Sequence, residues 1–456
     1  MRRVLVVVCF LTCVPALAQQ IPAPTDLPGD PFFVKKTWQA GGSGDSLNSV
    51  VLDPAQSHLF LAYRQAILVD DLESGAVVGR VSGTFGSYGI ALDDTGEFGY
   101  VSDGRYNQVD VFDRRSFQLA GVIPTAPDPT GVVFEPASAL IFAICSKPLV
   151  EQPSNIPALR TNARNRSGLI PGDPHAVPKP PYAKPTAGRP VKNPETTWFI
   201  TVIDANTWKA LADIQLSGKV AFAQTAGNGH VYLSIQNRND SPGKYEVARI
   251  ETDALGEMLR NKDAEIHATV GRTPKQEQLR SGPPPPPGPG WQRYPVQDLD
   301  WSGAHNSGDN DERLIRYFTV ARECGEPRAL AADERHVRLF VACSNMTLAV
   351  LNADNGDQVA SVPTGPSTNA VAYDFDHNLI YAANGGGNGS LTVIRQSVTD
   401  SYAVVQNLPT YQKARALAVN PATGLGYLAT DYSDLDPTQH RLSPTDGSFY
   451  VQVIGH

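Results

Sequence analysis

Apolar and polar positions alternate along this chain in short runs, and the runs recur as one phrase: a turn, an apolar run ending in an aromatic, a polar break, and a second run closing on an acid. Read from its aromatic, the phrase appears as HLFLAYR (Phe60), FGYVSDG (Tyr100), LIFAICS (Phe142), HVYLSIQ (Tyr232), RLFVACS (Phe340), LIYAANG (Tyr381) and LGYLATD (Tyr427). Three neighbouring intervals are 40, 42 and 41 residues, a fourth is 46, and the long ones of 90 and 108 each hold one period plus an insertion. Alternation with period two buries one side of a strand. Seven copies at this spacing predict an all-β chain, a seven-bladed β-propeller of four-stranded antiparallel blades.

Blade two is the clearest, with strands a to d over residues 88–92, 98–102, 108–112 and 119–123. Third strands recur as AILVDDLESG, QVDVFDRRSF, FITVIDANTW, TLAVLNADNG and SLTVIRQSVT, and the acid or amide after the run is expected to cap a tight turn. The last unit ends after its third strand, residues 449–454, while Phe32 to Trp38 reads as a lone outer strand. Pairing the two is expected to complete blade seven and remove an open ring junction.

Two insertions interrupt the period. Residues 149–196 fall between strands b and c of blade three and are Pro-rich, favouring extended chain. Residues of about 253–312 contain GPPPPPGPG after a short helix expected around Ala254 to Arg260, and fall between strands c and d of blade four if residues 314–320 form strand d. His267 to Val270 is the competing outer strand. The domain reading is therefore a leader over 1–18, a linker over 19–31 and the propeller over 32–456.

The leader follows from Arg2 and Arg3 ahead of the apolar run Val4 to Val14, with Ala16-Leu17-Ala18 before a cut at Gln19. A spanning helix needs roughly 20 apolar residues, more than this run supplies, so a periplasmic or secreted, monomeric protein without a membrane span is expected. Hydrophobic residues are 41% of the chain and charged residues 18%, below the usual share of about 25%. The net charge of −8 becomes −10 when Arg2 and Arg3 leave, which argues against a nucleic-acid partner. The nine His show no zincin or haem-attachment spacing. No metal site or cofactor is legible.

Three cysteines remain after the leader. Cys324, in the d–a loop before blade five, and Cys343, at the end of strand b of that blade, are the natural disulfide pair in an oxidising compartment. Cys145 holds the equivalent of Cys343 two blades away and reads as a buried thiol.

The strand-b phrases Tyr100-Val101-Ser102-Asp103, Phe340-Val341-Ala342-Cys343 and Tyr381-Ala382-Ala383-Asn384, with Val202-Ile203-Asp204, resemble the YVTN family of bacterial seven-bladed propeller proteins. The resemblance covers residues 32–456 apart from the insertions. It implies fold and export; its wider superfamily spans binding proteins, quinoprotein dehydrogenase subunits, lactonases and a lyase, and none of their catalytic motifs can be placed on this sequence.

In the predicted topology the d–a and b–c loops share the face where the channel opens. The b–c loops offer Tyr63, Arg64, Asp103, Arg105, Asn107, Asn345, Asn384 and Asp431; the d–a loops offer Asn48, Tyr88, Lys219, Glu326, Arg328, Asn369 and Arg415. Converging guanidinium groups suit an anionic or polyhydroxylated small ligand; the plainer account of each residue is a solvated turn or an inter-blade tie. His305, followed by Asp309 and Asp311, is the most site-like histidine, although its Gly/Asp/Asn-rich surroundings read as an ordinary polar loop. No Gly-x-Ser-x-Gly elbow surrounds Ser102, Ser146 or Ser344. Pro-rich insertions flanked by Trp198, Trp208, Trp291 and Trp301 suit a protein partner, though Trp198 and Trp208 also read as buried strand residues. The leading expectation is a ligand- or protein-binding module. The alternative is an enzyme or cofactor-dependent dehydrogenase subunit, quinoprotein-like or lactonase- or lyase-like, with its site at the channel mouth.

Overall fold

The aromatic phrase folds as the second strand of each blade, and it is the most deeply buried element because both of its faces pack against neighbouring blades. Phe60, Phe142 and Phe340 are fully buried, and Tyr100 and Tyr381 nearly so. In the computed structural model, residues 31–40, 47–63, 66–146, 198–216, 218–236, 245–269, 314–320, 324–397, 400–436 and 441–456 are described. They form seven four-stranded antiparallel sheets, six of them built from consecutive strands. Blade two runs Ser87–Leu92, Phe98–Asp103, Gln108–Asp113 and Leu119–Pro124, within a residue or so of the sequence expectation. The first strands of neighbouring blades pack against one another all the way around the ring.

The c–d turns are capped as their composition predicts. Asp71, Asp113, Asp204 and Asn352 each accept backbone N–H groups from the residues that follow. Such Asx turns fix where each strand ends.

Closure follows the expected scheme. The strand Phe33–Gln39 pairs antiparallel with the last strand, Arg441–Gly455, making it the outer strand of blade seven. Its flanks reach both neighbouring blades. The Phe32 amide and carbonyl exchange 2.8 Å hydrogen bonds with the Gln406 side chain in the outer strand of blade six. On the other side the Trp38 indole donates to Asp70 of blade one at 2.9 Å.

The c–d placement of the second insertion holds, because Ile315–Thr319 is the strand paired with Glu246–Glu251. Two details of the expectation change. The helix is longer, Thr252–Thr269, and His267 to Thr269 therefore end a helix and form no outer strand. Leu255 and Leu259, four residues apart and so on one helix face, are buried in the core shared by blades three and four. Arg260 anchors the same stretch by donating to Asp204 and the Ser138 carbonyl. Residues 149–196, the rest of the second insertion with His305, Trp291 and Trp301, and the leader lie outside the described residues.

Candidate functional site

One repeat position builds the mouth of the channel. Twelve residues before the strand-b aromatic stand Asn48, Tyr88, Thr130, Arg328, Asn369 and Arg415 in six of the blades. Five of these fall at a register irregularity near the start of strand a, between Leu47 and Ser49, Ser87 and Ile90, Pro129 and Gly131, Pro327 and Ala329, and Thr368 and Ala370. Arg415 immediately precedes strand a of blade seven, Ala416–Asn420. Bulges re-aim a side chain out of the regular strand. Blade four departs by one residue, its irregularity lying between Val220 and Phe222.

Across blades five, six, seven and one these residues meet. An open pocket of 390 Å³ is lined by Leu47, Asn48, Asn369 and Arg415. Arg328 Nη1 lies 3.5 Å from Asn369 Oδ1, and Asn369 Nδ2 donates to the Ala414 carbonyl at 3.0 Å. Asn48 Nδ2 donates to the Ser87 carbonyl at 3.2 Å, linking blade one to blade two. Each amide thus holds the next blade while standing in the pocket. Among the described residues, no carboxylate pairs with Arg328 or Arg415, and Arg415 is exposed. Unpaired guanidinium forks beside amide donors bind carboxylate or phosphate oxygens.

The other end of the ring uses its charges differently. Seven residues before each strand-b aromatic, six blades carry Asp53, Asp93, Glu135, Asp333, Asp374 or Asn420. Each accepts backbone N–H groups of the a–b turn that follows it. Burial pushes the Glu135 carboxyl up, but bonds from Ser138 and the Gly229 and Ala137 amides outweigh it and hold it below the usual range. Arg114 ties two blades by pairing with Asp53 at 2.5 Å and Asp93 at 3.2 Å, all three buried. Arg249 similarly reaches from blade four to the Ala353 carbonyl and Asp354 of blade five. These charges are consumed in capping and inter-blade contacts.

Solved structures share the architecture. The WD40 repeats of RRP9 match with a TM-score of 0.55 at 9% identity, over 93% of this chain and 97% of that one. A chain of the mitotic checkpoint complex matches with a TM-score of 0.55 at 12% identity, over 98% and 99%, and U3-55K with 0.53 at 9%, over 92% and 98%. At such identities the likeness is one of fold. The sequence matches no family model and no curated protein.

The b–c candidates fare differently from the d–a set. Asp103 is fully buried and accepts from the Phe85, Arg105 and Tyr106 amides; burial raises its carboxyl above the ordinary range despite those bonds. Asn384 is fully buried in a network with Thr368, Ser390 and Thr392. Asp431, 3% exposed, pairs with Lys413 at 2.9 Å. Asn107 accepts from the Asp128 amide. Asn345 and Lys219 are exposed away from the lining, Tyr88 is half-buried beside it, and Arg64 lies outside the described residues.

The disulfide is present: Cys324 and Cys343 are bonded, with Cα atoms 4.9 Å apart. It steadies the arm that leads to Arg328, since Ser344 Oγ accepts from the Glu326 amide and the Ser344 amide donates to the Glu326 carbonyl. Closing this loop contributes about 3 kcal/mol by loop entropy. Cys145 is a free, buried thiol, pushed up to about 12 by burial.

Sequence reasoning missed one feature of this face. Arg105 lies over the rings of Phe85 and Tyr106, 5.6 and 5.9 Å from their centroids. The two rings come from different loops, so no local spacing announces their contact.

Proposed function

We propose that this protein is an exported binding module of the YVTN type that holds an anionic group at its channel mouth. The observation that carries the reading is the open pocket lined by Asn48, Asn369 and Arg415, with Arg328 on Asn369 and neither guanidinium paired with a carboxylate among the described residues. Such a site is complementary to carboxylate or phosphate. The lining side chains supply hydrogen-bond donors and amide acceptors, and none of the four is a nucleophile or a group that titrates near neutrality. That chemistry supports capture over turnover. Export rests on the leader of the sequence, and a disulfide in the propeller agrees with an oxidising compartment.

The test is calorimetric titration with citrate and with inorganic phosphate. Wild-type protein is expected to bind at least one of them. The Arg328→Ala/Arg415→Ala double variant is expected to lose that binding, by a factor of 100 or so for two charge-assisted contacts, with an unchanged melting temperature. Affinity retained in the double variant removes the mouth as the site.

A further inference from the structure

The anion site is one end of a larger basic and apolar surface. Arg105, Lys219, Arg328 and Arg415 all lie in or beside the loops of the mouth face, and none is paired with a carboxylate among the described residues. Acids in the same loops are engaged: Asp103 by amides of its own turn, Asp431 by Lys413, and Asp128 by Ser146 at 2.9 Å. Glu326, half-buried two residues before Arg328, is the exception among the described residues. In a chain of net charge −8, the described residues of this face thus carry four cations without a carboxylate partner.

Apolar side chains stand among these cations. Met346 is 52% exposed, Tyr106 42% and Tyr411 37%, each in a loop of this face. Met346 belongs to the b–c loop of blade five, the blade of Arg328; its carbonyl accepts from the Thr364 amide at the approach to blade six. Tyr411 precedes Arg415 in the loop into blade seven.

A short chain of contacts joins the pocket to the Arg105 platform. Asn48, in the pocket, donates to the Ser87 carbonyl. Two residues earlier the Phe85 carbonyl accepts from the Arg105 amide, and Phe85 carries the Arg105 guanidinium on its ring. With Arg328, Asn369 and Arg415 at the pocket, the residues of this surface come from blades five, six, seven, one and two.

Resting on the anion-site reading, we infer that the occupant of this face is an extended acidic segment of a protein partner, with one carboxylate held at the mouth and further acidic and apolar side chains running toward the Arg105 platform. Charge complementarity selects the acid. The exposed Met346 thioether selects a peptide over a sugar chain, because it offers an adaptable contact for aliphatic side chains and no flat face for stacking a ring. Arg and Tyr at an exposed surface are the residue types on which binding energy concentrates.

The test uses the whole protein and a synthetic peptide alternating Glu with Leu and Tyr, titrated beside citrate and a sulfated polysaccharide. The peptide is expected to bind more tightly than citrate. Arg105→Ala and, separately, Met346→Ala are expected to weaken the peptide about tenfold, the measure of one lost anchor, while leaving citrate affinity unchanged; Arg328→Ala/Arg415→Ala weakens both. Peptide binding that ignores Arg105 and Met346, or is no tighter than citrate, overturns this inference and leaves the anion site standing. Citrate binding that ignores Arg328 and Arg415 overturns the anion site itself. Polysaccharide bound through Arg105 with no peptide bound replaces the partner class. Melting curves of each variant separate lost contacts from lost folding.

Discussion

Asp70 illustrates how far a single side chain in this fold can depart from its sequence reading. It sits one residue before the turn-capping Asp71 and has no exposed surface. Burial raises its carboxyl from the ordinary 3.8 to about 6, opposed by the hydrogen bond from Trp38. The folded chain therefore holds this proton more tightly than the unfolded chain. Its contribution to stability is complete below the unfolded value and is lost as pH rises through 3.8 to about 6. Asp70→Asn keeps an acceptor for Trp38 and has no charge to bury, so it is expected to stabilise the protein at pH 7.5 by up to about 3 kcal/mol. Thermal melts of both proteins from pH 4 to 7.5 check this: the gap should open as pH rises, and a constant gap would reject the ionisation argument. The mouth residues Asn48, Arg328, Asn369 and Arg415 were named from the sequence as d–a loop residues, and their shared repeat position, twelve residues before the strand-b aromatic, is a sharper signal for them. Asp103 and Asn384, at the ends of their b strands, were grouped with them because the b–c and d–a loops share one face. Whether a polar side chain faces solvent or turns inward depends on partners that only the fold brings into range: backbone amides for Asp103, and the Thr368, Ser390 and Thr392 hydroxyls for Asn384.

At the scale of elements, the strand Phe33–Gln39 does more than fill the fourth position of blade seven. The stretch from Phe32 to Trp38 engages Gln406 of blade six, the last strand of blade seven, and Asp70 of blade one. Lys36 adds bonds to the Glu73 and Ser74 carbonyls of blade one. Without it, the third strand of blade seven becomes an open edge and Trp38 vacates a buried site against Tyr427. Deleting residues 32–40 is accordingly expected to lower the melting temperature sharply, and Trp38→Ala alone to cost about 3–5 kcal/mol. Differential scanning calorimetry checks both, and unchanged melting after the deletion would reject closure by this strand. This element was readable because a lone β pattern and a blade lacking its fourth strand lay at opposite ends of one sequence. The helix Thr252–Thr269 was legible only over its first turns, where Leu255 and Leu259 mark a buried face. Beyond them the run Asn261-Lys262-Asp263 is polar, and the helix-compatible stretch His267 to Thr269 also satisfies a strand pattern.

At the scale of the whole molecule, the two ends of the ring assign their charges to opposite purposes. At one end, buried carboxylates cap turns and meet Arg114, and Arg249 reaches Asp354 of the next blade, so these charges have fixed partners. At the other, Arg328 and Arg415 have none among the described residues, and the field they produce is available to a ligand. The pocket at the mouth is open, and Arg415 in its lining is exposed. The mouth is therefore a surface site with solvent on one side, and that exposure fixes its response to salt. The screening length falls from about 10 Å at 0.1 M to about 3 Å at 1 M, and exposed charges feel the change far more than buried pairs. Over that range citrate affinity is expected to fall roughly tenfold, while the Arg114 cluster keeps the melting temperature close to its low-salt value. Titration and melting in the same buffers check the two halves together. Affinity indifferent to salt would mean that the ligand is not held by exposed guanidinium groups. A parallel fall in melting temperature would mean that the opposite end is less well shielded than its buried contacts imply.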